Sequence, residues 1–400
     1  MQYTPFGRKQ LTFFSLYMAQ SVPMSLISTL LPVIMRQEHF SLSSIGLLQL
    51  VKLPWIAKLL WAPIVDRNTS NLASYKCWIF SSELAYALAL VAVAFLQIKL
   101  HFTLILGLIV LAFVCSATQD IATDALTSLT FKGDVVRANR LQSMGQFAGT
   151  IFGGGVLMML YHSLGWTALF LLMAALVMLF LLPLYTYKSE VQIEKKLIHD
   201  TDRIGLNDIV SFFSQKDSFG RILVLVLLNF GLVGTMAMMK PYLVDLKYSL
   251  KDIGLLFTLY GASMGFLGSM LLSRFRKVLD IHQGLRYAAM FIGIAGFVIA
   301  VLAFLGLYSL PYILLSLGLL WAAYGFGTVM VYSFAMDYVR PGREGTDFTL
   351  QIVIPHLSGL LIASFSGGLS ERLGYSGFFA LEAVFSLISL LYVFYWTKRH

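Results

Sequence analysis

Apolar residues run through this chain in stretches too long for strands, and its polar residues gather in the gaps between them. A membrane-spanning helix needs about 20 mostly apolar residues to cross a hydrocarbon core of roughly 30 Å. Twelve runs meet that length: residues 11–35, 43–65, 77–97, 102–130, 141–161, 165–187, 221–245, 251–273, 285–307, 310–338, 348–369 and 376–397. Most connectors are short. The exception is 188–220, "KSEVQIEKKLIHDTDRIGLNDIVSFFSQKDSFG", which is polar, charged and placed midway. The pattern predicts an all-α membrane protein of two six-helix bundles, residues 1–187 and 221–400, joined by a linker over 188–220.

Composition agrees with that solvent. Hydrophobic residues make up 58% of the 400 and charged residues 12%, against about 25% charged in a soluble domain. The formal charge of +9 does not indicate nucleic-acid binding, because the Lys and Arg are spread over short connectors in the manner that sets membrane topology. Of the 29 Lys and Arg, one set of alternate connectors holds Arg36, Lys99, Lys247, Lys251 and Arg372, while most of the rest fall in the other set with both termini and the linker. Cations favour the cytoplasmic side, so both termini and the linker are expected in the cytoplasm. "MQYTPFGRKQ" leads straight into an apolar run with no small-residue cleavage site and is not read as a removed signal peptide. Cys77 and Cys115 lie in apolar segments without the spacing of a metal site or disulfide framework. No metal or cofactor is expected.

The two halves repeat one another. "SLSSIGLL", Ser41 to Leu48, returns as "SLKDIGLL", Ser249 to Leu256, at an offset of 208. "RLQ…LGWTALF" (Gln142, Gly165, Trp166, Phe170) is echoed by "TLQ…LGYSGFF" (Gln351, Gly374, Tyr375, Phe379) at an offset of 209. Two matches at nearly one offset point to duplication of a six-helix unit.

Charge inside a span costs about 2.5 to 3.5 kcal/mol per residue at the helix centre, so it usually faces a cavity or another charge. Lys52, Lys58 and Lys240 lie inside spans, as do Asp120 and Asp124 in "SATQDIATDALTSL". At about 100° per residue, Ser116, Asp120, Thr123, Asp124 and Thr127 form one polar stripe on the fourth span. Lys58 lies 15 residues into the second span and Asp120 18 residues into the fourth, which at 1.5 Å per residue leaves their depths only about 5 Å apart. An ion pair between Lys58 and Asp120 or Asp124 is expected, serving either to lock two helices or to carry protons. Asp66 and Arg67, which end the second span, are candidates for a cytoplasmic gate. Lys240, beside Pro241, either lines a cavity or snorkels to the outer interface. Gly145, Gly149 and Gly153 at four-residue spacing predict close helix contact, as do Gly261, Gly265 and Gly268.

Candidate solute-binding residues mix hydroxyls and amides with aromatics: Gln20, Ser21, Ser28, Lys52, Gln142, Gln146, Asn229, Lys240, Tyr324, Thr328 and Gln351. That mixture suits a bulky, polar, partly ring-bearing solute. Gln142 and Gln351, equivalent in the repeats, either grip the solute from both sides or hold helices together.

"LPWIAKLLWAPIVDR", "QDIATDAL" and "RANRLQSMGQFAGTIFGGG" resemble the AmpG-like branch of the major facilitator superfamily, which includes muropeptide permeases and siderophore permeases of the RhtX/FptX type. The likeness is strongest over residues 20–170, and Lys58, Asp66, Arg67, Asp120 and Asp124 fall on the branch's recurring charged positions. The connector "DRNTSNLASYK" departs from the wider superfamily in lacking its Gly and basic run. The resemblance implies a symporter that imports a solute across the bacterial inner membrane on the proton gradient. No "GxxxxGK[ST]" motif supplies an ATPase. "LPVIMRQEHFSLSSIGLL" with "ATDAL" is similar to the siderophore permeases, so a siderophore-like chelate is the first expectation for the solute, an anhydro-muropeptide the second and acetyl-coenzyme A a distant third. A monomer is expected, with protons, the small-molecule solute and the bilayer as its partners. An intramembrane aspartyl protease on Asp120 and Asp124 is disfavoured, since two Asp one turn apart lie side by side along the helix rather than facing each other. A lipid flippase would share the fold.

Overall fold

A computed structural model describes residues 7–69, 71–131, 135–188, 211–215, 217–228, 230–275, 280–338 and 344–399. Helices are the only regular secondary structure among them. In chain order they are α1 (Arg8–Gln37), α2 (Leu42–Leu47), α3 (Leu53–Ala57), α4 (Ala62–Arg67), α5 (Leu72–Ala94), α6 (Phe102–Thr130), α7 (Val135–Thr150), α8 (Met158–Phe180), α9 (Leu182–Thr186), α10 (Ser218–Leu228), α11 (Phe230–Asp245), α12 (Leu250–Gly254), α13 (Ala262–Phe275), α14 (Ile281–Phe304), α15 (Leu310–Asp337) and α16 (Glu344–Arg399).

Nine helices among the described residues are long and apolar enough to span a bilayer. Two of them, over Met144–Thr186 and Leu350–Arg399, are long enough to cross twice. Each breaks at a glycine in the left-handed region, Gly165 (φ 72°) and Gly374 (φ 68°), a conformation that only glycine adopts cheaply. These are the glycines of the repeated "LGW" and "LGY". Counting the two long helices as pairs, and adding the segmented second crossing from Leu42 to Arg67, gives the twelve crossings of the sequence.

That second crossing differs from the unbroken helix expected over 43–65. It is a chain of short pieces: α2, a 3₁₀ turn over Leu48–Lys52, α3, a second 3₁₀ turn over Lys58–Leu60, and α4. Pro54 and Pro63 lack the amide hydrogen that an α-helix needs at those points, and each lies at the start of a new piece. The duplicated motif also has a local cause. Ser41 and Ser249 cap α2 and α12, their hydroxyls accepting from the amides of Ser44 and Asp252 at 3.1 Å each. Two wide, π-helical stretches, Ile151–Leu157 and Leu255–Gly261, lead into α8 and α13.

The described residues of Met1–Ile34 and Val51–Leu197 form one compact unit, and those of Met35–Leu50 and Ile198–His400 the other. In the first, α7 and the π-helical stretch after it press their glycines onto α1: a Cβ at Gly145 would lie 2.5 Å from Tyr17 Cβ, one at Gly149 2.5 Å from Ser21 Cβ, and one at Gly153, within the stretch, would strike the Val22 carbonyl. In the second, residues 35–50 are held by close backbone contact, Gly367 meeting the Leu42 carbonyl and Gly46 the main chain at Ser364. Glycines 261 and 268 pack on Trp321 and Ala322 of α15. Polarity is inverted relative to a soluble protein. Large apolar side chains such as Leu60, Leu104, Phe297 and Phe365 face outward, while Glu83, Gln119, Asp120, Asp347, Gln351 and Glu382 are buried, as expected where the surrounding solvent is hydrocarbon.

Candidate functional site

The polar stripe of α6 is turned inward: Ser116, Asp120, Thr123 and Thr127 are all at most 3% exposed. The broken geometry of the second crossing brings Lys58, in its 3₁₀ turn, to the Asp120 carboxylate, where Lys58 Nζ pairs with Oδ2. Trp61 supports the approach by donating from Nε1 to Thr118 Oγ1 at 3.1 Å. The Lys58 ammonium also lies 5.4 Å from the centroid of the Trp55 ring, a favourable place for a cation.

Asp124 completes the group one turn further on. Tyr17 on α1 donates its hydroxyl to Asp124 Oδ1 at 2.8 Å and lies 3.1 Å from Thr127 Oγ1. Gln142 on α7 donates to the same carboxylate oxygen at 3.3 Å. Asp124 interacts electrostatically with both Asp120 and Lys58. Two carboxylates therefore stand one turn apart beside one ammonium, which pairs with Asp120. The other oxygen of Asp120, Oδ1, is buried without a hydrogen-bond partner, as are the side-chain polar atoms of Ser116, Gln119, Thr123 and Gln20. Buried polar atoms in this state ordinarily hold water or await a ligand.

Three helices and one irregular segment thus supply Tyr17, Lys58, Asp120, Asp124 and Gln142. Sequence reasoning found four of the five. Tyr17 was missed because an aromatic in an apolar span carries no distinctive signal. Positions 209 residues further on from Lys58, Asp120 and Asp124 hold Leu267, Val329 and Ser333, so this charged group has no counterpart in the second repeat.

The remaining candidates have varied settings. Ser28 and Lys52 are half-buried and each makes further interactions. Ser21 donates to the Tyr17 carbonyl at 2.8 Å, while Gln146 is exposed. Lys240, Tyr324, Thr328 and Gln351 belong to the second unit. The Lys240 ammonium lies 5.2 Å from the centroid of Phe257, and Thr328 donates to the Tyr324 carbonyl at 2.8 Å. Gln351 is fully buried, with its amide nitrogen given to the carbonyls of Ala335 and Asp347 at 3.0 and 3.2 Å. The paired glutamines therefore have unlike local roles: Gln142 meets a carboxylate and Gln351 fastens main chain. Asn229 lies outside the described residues, and the side chains of Asp66 and Arg67, at the end of α4, lie outside them too. Among the described residues no three His, Cys, Asp or Glu gather as a metal site.

Three further polar groups escaped the sequence reading. Arg36 pairs with Asp245, whose Oδ2 also accepts from Tyr375 at 2.7 Å. Glu83 on α5 is fully buried with neither carboxylate oxygen hydrogen-bonded. Glu382 on α16 is 1% exposed.

Comparison with known proteins places the chain by family and fold. The model of the major facilitator superfamily matches residues 12–346. The anhydromuropeptide permease of Escherichia coli K12 is 26% identical over 399 residues, covering 93% of this chain and 77% of that protein. Among solved structures, a bacterial homolog of the human lysosomal transporter Spinster, in an inward-facing and occupied conformation, superposes with a TM-score of 0.72 at 17% identity, covering 100% of this chain and 98% of that one. A D-xylose–proton symporter gives a TM-score of 0.68 at 14% identity, with 96% of both chains covered.

Proposed function

Because the chain belongs to the major facilitator superfamily, and is a multi-pass membrane transporter of that fold, we propose that it is a proton-coupled permease importing anhydromuropeptides across the bacterial inner membrane by alternating access. Both termini are cytoplasmic in this proposal. The observation that carries the solute class is the 26% identity to the E. coli anhydromuropeptide permease across 93% of this chain, which takes in both repeats. The siderophore expected first from the sequence gives way on that ground, since the likeness to the permease extends well beyond the branch motifs on which that ordering rested. A solute of sugar and peptide is also bulky, polar and ring-bearing, as the amide and hydroxyl side chains of the spans suggest.

The coupling step follows from a charge count. Lys58 balances one of two carboxylates, so the group of Lys58, Asp120 and Asp124 carries one excess negative charge in an apolar bundle. One proton, bound at the open Asp120 oxygen or at Asp124, makes the group neutral. Neutralising Asp120 weakens its hold on Lys58 and frees the segmented crossing to shift against α6. Tyr17 and Gln142 keep Asp124 oriented throughout. A second reading is supported by the Trp61–Thr118 hydrogen bond, which ties the same two elements: the ion pair is then a fastening only, a role buried pairs often have.

Uptake by the purified chain in proteoliposomes under an imposed pH gradient tests the proposal, with anhydromuropeptide, ferric siderophore and acetyl-coenzyme A offered separately. Accumulation of the muropeptide alone, abolished by a protonophore, is the expected result. Uptake of another solute instead overturns the solute class, and protonophore-insensitive uptake overturns the coupling.

A further inference from the structure

The first repeat's charged group leaves unexplained a second buried carboxyl, in the other unit. Glu382 stands eight residues past the Gly374 break of α16, about 12 Å along the helix axis and so well inside the hydrocarbon layer. It is 1% exposed, and its Oε2 has no hydrogen-bond partner. Ser386 and Ser389, one and two turns further along the same face, are each 1% exposed with unpartnered hydroxyls.

The neighbouring helices make room for this row. A Cβ at Gly234 of α11 would lie 2.7 Å from the Glu382 carboxyl carbon and 2.9 Å from Oε2. At Gly231, one turn earlier, a Cβ would lie 2.9 Å from the Ser386 amide nitrogen and would strike the Ser386 hydroxyl. Gly296 of α14 faces the same hydroxyl, at 3.2 Å from its own built Cβ. Three glycines on two helices thus form a notch whose contents are one carboxyl and one hydroxyl. Any other residue at Gly231 or Gly234 would close it.

Among the described residues no cation enters this notch. The charged and titratable groups on the helices packed against the segment are Arg221 on α10, Lys240, Tyr242 and Asp245 on α11, His282, Arg286 and Tyr287 on α14, and Tyr312, Tyr324, Tyr332 and Asp337 on α15. Among the described residues none of them forms an ion pair with Glu382. Asp245 is engaged by Arg36, and Arg286 by Thr397 at the far end of α16. An unpaired carboxylate in such a place is disfavoured, whereas a neutral carboxylic acid adds a donor that the orphaned oxygens around it can use.

We propose that the notch formed by Gly231, Gly234 and Gly296 is a proton-binding site, in which Glu382 holds the proton and the Ser386 and Ser389 hydroxyls form the path by which it is exchanged. The ligand is a proton, or hydronium passing through ordered water. Its part in transport rests on the proton-coupled reading above, but occupancy of the site is measured without any solute.

The test is labelling of the full-length chain in liposomes with dicyclohexylcarbodiimide, read by peptide mass spectrometry. This apolar reagent takes the acid's proton onto nitrogen while the carboxyl oxygen adds to its central carbon, so only a protonated carboxyl within the membrane reacts. The expected result is an adduct on Glu382 near neutral pH that declines as pH rises and is absent from Glu382→Gln. No adduct at any pH overturns the site. In proteoliposomes, Glu382→Gln is expected to keep solute exchange across a symmetric membrane but to lose pH-driven accumulation by about tenfold, within the usual range of coupling between two sites. An adduct in the wild type together with normal accumulation by Glu382→Gln overturns the role in coupling. A wild-type adduct with no muropeptide uptake at all leaves the site standing and rejects the solute reading instead.

Discussion

Arg36 and Asp245, 209 residues apart and therefore at matching places in the two sequence repeats, form a two-pronged ion pair: Nε lies 2.8 Å from Oδ1 and Nη2 2.6 Å from Oδ2. Duplication has given one repeat the cation and the other the anion. The Tyr375 hydroxyl adds a third hydrogen bond to the carboxylate, and Ser43, a few residues beyond Arg36, donates its amide at 3.1 Å to Glu371. Side-chain exposures of 25% and 33% place the pair within reach of water, where such pairs contribute about 0 to 1 kcal/mol. Arg36→Ala is accordingly expected to lower the thermal midpoint by only a few degrees in a detergent thermal-shift assay. The exchange Arg36→Asp with Asp245→Arg is expected to recover most of that loss. A loss that the exchange does not recover means that the position, and not the pairing, matters.

Removing one member of a buried pair costs about 3 to 5 kcal/mol, because the other is left uncompensated, while removing both costs much less. Lys58→Met is therefore expected to destabilise the protein more than Lys58→Met combined with Asp120→Asn. Asp120→Asn and Asp124→Asn are each expected to abolish uptake in inserted, folded protein. If Lys58→Met restores transport to Asp120→Asn, the pair is a fastening and the proton passes elsewhere.

Tyr17→Phe removes a hydroxyl donor from Asp124, together with its 3.1 Å contact to Thr127. Hydrogen bonds to charged groups contribute about 1.5 to 3 kcal/mol, so a fall in pH-driven uptake of roughly ten- to a hundredfold is expected. The same change made in an Asp124→Asn background is expected to have a small effect of its own. Equal losses in both backgrounds would show Tyr17 acting through packing instead.

Glycines give a graded comparison. Gly153→Ala drives a methyl into the Val22 carbonyl and is expected to cost about 1 to 3 kcal/mol, as overpacking does. Gly165→Ala meets open space but keeps a positive φ, for a cost of about 1 to 2 kcal/mol. Gly107→Ala in α6 meets nothing within 4 Å and is expected to be neutral or stabilising by up to about 1 kcal/mol. Thermal shifts of the three proteins should fall in that order.

The twelve crossings, the duplication and the Lys58–Asp120 pairing were legible because each rests on a large free-energy term: hydrocarbon solvation or the cost of buried charge. The same cost singles out Glu83 in "SSELAYAL" and Glu382 in "FALEAV", which lack the paired-carboxylate spacing that drew out Asp120 and Asp124. Two features were out of reach. The fragmentation of the second crossing depends on how neighbouring helices satisfy the backbone freed by Pro54 and Pro63, and the partnership of Arg36 with Asp245 depends on packing between segments distant in sequence. Gln142 and Gln351 illustrate the limit well, since an identical residue at an equivalent position binds a carboxylate in one repeat and main-chain carbonyls in the other.

The π-helical stretches Ile151–Leu157 and Leu255–Gly261 carry one more consequence. A turn closed by i→i+5 bonds takes in one residue more than an α-turn, so each stretch stores slack in an otherwise taut rod. Converting a wide turn to an ordinary one would rotate everything beyond it by about a quarter-turn while barely changing the helix's length. Gly145 and Gly149 of α7 lie just before one such stretch, and Gly153, which packs on Val22, lies within it. The part of the seam made by Gly145 and Gly149 can therefore stay fixed while the residues beyond Leu157 are re-aimed, a swivel built into a rod that has no loop in it.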